Sequence, residues 1–111
     1  MEIKMVPVIE AFFKAKNDYD STEFIACFTD DAVVQDEGRE ICGKTAIKNW
    51  IEASIEKYRV TVAAKRIIER DNETVLTAQV SGNFEGSPVL FDYHFVIGEN
   101  KISRLRIKLT E

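Results

Sequence analysis

From Arg59 onward the apolar residues fall at every second position, and no helical spacing returns. Ahead of Arg59 most apolar side chains recur three and four residues apart instead. A period of two belongs to strands with a covered face, and a period near 3.6 belongs to amphipathic helices. A chain of 111 residues has material for one hydrophobic core. The two halves are therefore expected to build one α+β domain over 1–111, with helices from the first half packed on a sheet from the second.

Turn residues divide the second half. Arg59–Arg70 is rich in Val, Ile and Thr and ends at Asp71-Asn72-Glu73. Thr74–Phe84 is followed by Glu85-Gly86-Ser87-Pro88, Val89–Ile97 by Gly98-Glu99-Asn100, and Lys101–Leu109 closes the chain. Polar and Gly-containing turns at this spacing predict an antiparallel meander. Gly82 is expected to mark a bend or bulge. In the last strand Leu105, Ile107 and Leu109 face one way, and Arg104, Arg106 and Lys108 form a solvated row on the other. Val89–Ile97 has Phe91, Tyr93 and Phe95 on one face and Leu90, Asp92, His94 and Val96 on the opposite one. Apolar bulk on both faces predicts a homodimer through the outer sheet face.

The first half reads as helix, break, helix, strand, helix. Val6, Ile9, Phe12, Phe13 and the aliphatic stem of Lys16 mark a first helix, with Pro7 tolerated in its first turn. Asn17–Asp20 breaks it, and Asp20-Ser-Thr-Glu23 is a capping box that opens a short helix carrying Phe24, Ile25 and Phe28. A Thr29-Asp30-Asp31 turn leads to the strand Ala32–Asp36, and Glu37–Cys42 reads as a loop. Gly43 then starts the most strongly periodic helix, to about Lys57, with Ala46, Ile47, Trp50, Ile51, Ser54 and Ile55 along one stripe.

Composition excludes several classes. The formal charge of −4 argues against nucleic acid, where phosphate neutralisation dominates affinity. Cys27 and Cys42 form no CxxC, and with one histidine in the chain no conventional structural zinc site can be assembled. Charged residues interrupt the apolar run of the first twenty positions, so neither a signal-peptide core nor a membrane span fits there. A reduced, cytoplasmic protein without metal or cofactor is the expectation.

The order of elements resembles the NTF2-like (SnoaL-like) superfamily. The sharpest local similarity is FTDDAVVQDEG…GKTAIKNW, where an aromatic and Asp-Asp-Ala precede an alternating strand, an acidic residue and a Gly-opened helix; FVIGENKISRLRI is similar to that family's final hairpin. The resemblance implies a cone: three N-terminal helices packed on a strongly curved antiparallel sheet, enclosing a mostly apolar pocket. Known members include ketosteroid isomerases, polyketide cyclases, limonene epoxide hydrolases and scytalone dehydratases, together with binding and dimerisation modules. It implies further that Asp36 stands where the isomerases carry their general base. A carboxylate at the mouth of an apolar pocket loses solvation, and its pKa rises to a value useful for proton transfer. By ungapped alignment Phe12 occupies the position of the oxyanion-binding tyrosine, and Tyr93 that of the protonated aspartate. Tyr93 retains a hydroxyl donor and Phe12 has none.

Phe12, Trp50, Phe91, Phe95, Leu105 and Ile107 are the expected pocket lining. His94 faces away from the aromatic row and is expected to be structural, unless a bulge slips the register and brings it into the cone. Three readings of function remain open. The first is a protein that binds a small apolar or aromatic molecule and acts on it by proton transfer, as an isomerase, cyclase or lyase, with Asp36 as base and Tyr93 as donor. The others are a non-catalytic binding module, and an interaction domain whose cone is filled by its own side chains.

Overall fold

The computed structural model describes residues 6–36 and 38–110. The elements are α1 (Pro7–Asn17), α2 (Ser21–Ala26), β1 (Phe28–Asp36), β2 (Arg39–Cys42), α3 (Lys44–Tyr58), β3 (Thr61–Glu69), β4 (Thr74–Ser81), β5 (Val89–Gly98) and β6 (Lys101–Leu109). All six strands form one curved sheet in the order β2-β1-β6-β5-β4-β3. The meander β3–β6 is antiparallel throughout.

Four features differ from the sequence expectation. The sheet is not wholly antiparallel, because β1 runs parallel to β6. Only α1 and α2 precede the sheet, since α3 enters after the β1–β2 hairpin. The Glu37–Cys42 loop contains the strand β2, paired antiparallel with β1 from Val33–Cys42 to Asp36–Arg39. Beside that last pair Gly38 takes φ +77°, a conformation open to glycine at little cost. Likewise β1 begins at Phe28, expected at the end of the second helix, and runs through the expected Thr29–Asp31 turn, with its register against β6 shifting between Phe28 and Val33.

Local chemistry accounts for the helices. Pro7 occupies the first turn of α1, and Ile9, Phe12, Phe13 and Lys16 lie on its buried stripe. The Asp20 side chain accepts from the Glu23 backbone N–H at 3.0 Å, capping α2. Asn17 ends α1 by pairing its side-chain amide with the β3 backbone, donating to the Val62 carbonyl at 3.1 Å and accepting from the Val62 N–H at 2.7 Å. This contact pins the last turn of α1 to the sheet.

Between helices and sheet lies an aromatic core. Phe12 is at its centre, with ring centroids of Phe13, Phe24, Phe28, Phe95 and Tyr93 at 4.9, 4.8, 6.0, 5.3 and 6.2 Å. Edge-on and tilted geometries dominate, as the ring quadrupoles favour. Register shifts between Ala64 and Arg66 in β3 and between Val96 and Ile97 at the β5–β6 pairing help the sheet to bend.

Gly82 lies just past β4, whose end at Ser81 comes earlier than the expected Phe84. A Cβ there would meet the Tyr58 carbonyl oxygen at 2.7 Å and Val60 Cγ1 at 2.9 Å. The neighbouring Asn83 N–H donates to that same carbonyl at 2.7 Å, so the backbones cannot part freely. Gly82→Ala is expected to cost roughly 1–3 kcal/mol of stability through this overlap, read from the urea midpoint. An unchanged midpoint would show that the crossing relaxes without cost.

Candidate functional site

Cross-strand pairing decides which side chains share the concave face. Asp36 lies opposite Ile107, Ile107 opposite Tyr93, and Tyr93 opposite Leu76, so all four project to one side. Two strand spacings separate the Asp36 and Tyr93 backbones, roughly 10 Å. A ligand group can lie over Ile107 with the carboxylate on one flank and the phenol on the other.

Helices roof this row. The stripe of α3 supplies Ala46, Asn49, Trp50 and Ser54, and α1 supplies Lys16. Together with Tyr58, Val80 and Phe91 they line an open pocket of about 920 Å³, within the range that small-molecule sites occupy. A second concavity of about 730 Å³ adjoins it along the sheet edge and shares Arg39, Phe84, Glu85, Phe91 and Ile107 with it.

The lining is less apolar than expected. Lys16, Asp36, Arg39, Lys57 and Glu85 all contribute to the wall. Arg39, Lys57 and Glu85 are exposed, Asp36 is half-buried, and Lys16 is only 6% exposed. Among the described residues Lys16 and Thr77 are the buried polar or charged side chains. Burial pushes the Lys16 ammonium down to about 8, against the opposing pull of the Asp36 carboxylate. The Tyr93 hydroxyl moves upward, first through burial and then through the negative charge of Asp36. It stays protonated at any physiological pH and can act as a hydrogen-bond donor.

The other expected site residues fall into two groups. Trp50, Phe91 and Ile107 line the pocket. Phe12, Phe95 and Leu105 do not; they are fully buried and packed into the core. His94 is on the convex side, where its Nδ1 lies 3.2 Å from Glu73 Oε1, and Arg106 donates to Glu73 Oε2 at 3.2 Å. The strand holds register through His94, because the β5–β6 irregularity comes later, between Val96 and Ile97. Partial burial opposes ionisation of Glu73, but hydrogen bonds from His94 and Arg106 outweigh it and hold the carboxyl below its usual range. Asp92, also on the convex side, accepts from Thr77 at 2.6 Å and from Thr110 at 2.9 Å.

Lys16 was absent from the expected site, although the signal was present. Ile9, Phe12, Phe13 and Lys16 follow the i, i+3, i+4, i+7 pattern, which places the lysine on the core-facing stripe. Among the described residues no group of three or more His, Cys, Asp or Glu side chains is arranged to hold a metal ion. No described helix is long and apolar enough to cross a membrane. Cys27 is buried and Cys42 exposed, and both are free thiols.

Three helices laid on a curved six-stranded sheet, with a pocket between them, define an NTF2-like protein. The chain belongs to the SnoaL-like family, whose domain model matches residues 9–99. A protein from Sinorhizobium meliloti, provisionally assigned as a polyketide cyclase, is similar at 31% identity and a TM-score of 0.90, over 94% of this chain and 95% of that one. RV0760c of Mycobacterium tuberculosis, solved with estradiol-17beta-hemisuccinate, shares the fold at 17% identity and a TM-score of 0.80, over 93% of this chain and 91% of that one. A computationally designed 17-OHP binder does so at 20% identity and a TM-score of 0.79, over 93% and 88%. No curated protein sequence matches the chain.

Proposed function

We propose that the chain binds a small molecule with an apolar body and a carbonyl oxygen, and that Asp36 moves a proton on its α-carbon. The observation that carries this reading is the row Asp36–Ile107–Tyr93 across three strands, facing Trp50 and Lys16 over one pocket. An apolar floor at Ile107 and Phe91 suits a flat hydrocarbon body. Tyr93, raised in pKa and therefore neutral, is placed to donate to the carbonyl oxygen as charge develops on it. Asp36 on the other flank is the group to accept the α-proton. The steroid ester in RV0760c and the ligand of the designed binder support a small-molecule role for the pocket.

Trp50 is the only tryptophan of the chain, so its fluorescence reports this pocket alone. The probe 2-acetylnaphthalene carries a flat apolar body and an enolisable methyl ketone. Saturable quenching of Trp50 is expected, together with protein-accelerated deuterium exchange at the methyl group in heavy water. Asp36→Asn is expected to keep the quenching and lower the exchange at least about 100-fold. Quenching without accelerated exchange leaves a binding module and removes the catalytic part; no quenching by this probe contradicts the reading itself.

A further inference from the structure

Lys16 has a role that the proton-transfer reading leaves unused. Its side chain is 6% exposed, lines the same pocket as Asp36 and Tyr93, and comes from the last turn of a helix pinned through Asn17 to β3. A methionine or leucine would fill that stripe position without charge to desolvate, so packing does not require an amine there. The position is chemically loaded. An amine buried in a pocket wall is poised to lose its proton and expose a nucleophilic lone pair. The exposed lysines of the chain, such as Lys14, Lys65 and Lys101, have no such surroundings.

We propose that Lys16 condenses with the aldehyde or ketone group of the bound ligand to form an iminium. This rests on the reading of the pocket as a carbonyl site and adds a covalent step to it. Asp36 takes one proton from the Lys16 ammonium, and the freed nitrogen attacks the carbonyl carbon. The C–N bond forms while the C=O π pair moves onto oxygen, which is protonated to give a carbinolamine. The C–O bond then breaks and oxygen leaves as water, having gained the two protons that nitrogen gave up. Overall, one ammonium and one carbonyl become one iminium and one water, with no oxidant or reductant required. The iminium nitrogen keeps the positive charge facing Asp36, and it acidifies the α-carbon more strongly than a neutral carbonyl does. The charged groups facing this reaction across the pocket are Asp36, Arg39, Lys57 and Glu85, with Tyr58 and Tyr93 as titratable phenols.

The pH support is consistent with that chemistry. With its ammonium brought down to about 8 by burial, Lys16 supplies about one neutral amine in ten at pH 7, against fewer than about one in a thousand for an exposed lysine. The raised hydroxyl of Tyr93 remains protonated, so a donor to the carbonyl oxygen persists across the same range.

Reductive trapping tests the proposal. The intact protein is incubated near neutral pH with 6-methoxy-2-naphthaldehyde and sodium cyanoborohydride, and adducts are mapped by peptide mass spectrometry. A single adduct on Lys16, formed at least about tenfold faster than on any other lysine, is the expected result. Lys16→Met and Lys16→Arg should both lose it while keeping the far-UV circular dichroism of the wild type, which shows that the fold is intact. Saturable quenching with no Lys16 adduct overturns the covalent step and leaves the pocket reading standing, with Lys16 as a charged hydrogen-bond donor. Adducts spread evenly over exposed lysines overturn it equally. No quenching overturns both proposals together.

Discussion

Lys16→Met is expected to stabilise the protein at pH 7 by up to about 3 kcal/mol. The folded-state value of about 8 lies below the ordinary 10.5, so the unfolded chain holds more protons between those two values. Stability therefore rises with pH across that window in the wild type, and the penalty is fully present below about 8. The shift already contains the favourable pull of Asp36, which burial outweighs. At 6% exposure the side chain has little solvent to screen the effect. Tyr93 pulls the other way above its ordinary value of 10.0, because its folded form resists ionisation; comparing variant with wild type at each pH removes that contribution. Urea unfolding at several pH values between 6 and 10 reads the result as a gap that narrows as pH rises. A variant less stable than wild type at pH 7 would mean that the ammonium contributes more through Asp36 than burial costs it.

Phe12→Ala is expected to cost roughly 3–5 kcal/mol, a large part of the stability of a domain this size. Phe12 is completely buried and touches five other aromatic rings drawn from α1, α2, β1 and β5. Removing it opens a cavity that four elements would have to collapse into at once. The loss appears as a lower urea midpoint or as unfolding at room temperature, visible by circular dichroism. A loss below about 1 kcal/mol would contradict the central place given to this ring. Phe12 falls outside the pocket lining, so its contribution is to the scaffold that holds Asp36 and Tyr93 in register.

The helices and the meander were legible because each repeats its apolar period over enough residues to be distinct. Two segments were less so for physical reasons. Arg39–Cys42 is four residues long and mostly polar, which is too short for alternation to register; the Gly at 38, two residues after Asp36, was the available hairpin signal. Thr29–Asp31 has the composition of a turn, yet it lies inside β1, in the stretch between Phe28 and Val33 where the register against β6 shifts. At the site, Tyr93 and Phe91 lie on the concave face and His94 on the convex one, since β5 keeps register between them. What parity cannot give is depth. Phe12, Phe95 and Leu105 share the concave side but lie beneath the pocket. The periodicity shows the aliphatic stem of Lys16 on the buried stripe, and the same position puts this residue in the pocket wall.

The most direct measurement of the central claim, that the Asp36–Tyr93–Trp50 pocket is the ligand site, is a heteronuclear NMR titration with 2-acetylnaphthalene. Shifts are predicted at Asp36, Trp50, Tyr93 and Ile107 and in the Lys16 side chain, with His94, Asp92 and Glu73 on the convex face unmoved. Perturbations concentrated on that convex face, or spread over the surface without saturation, would contradict it.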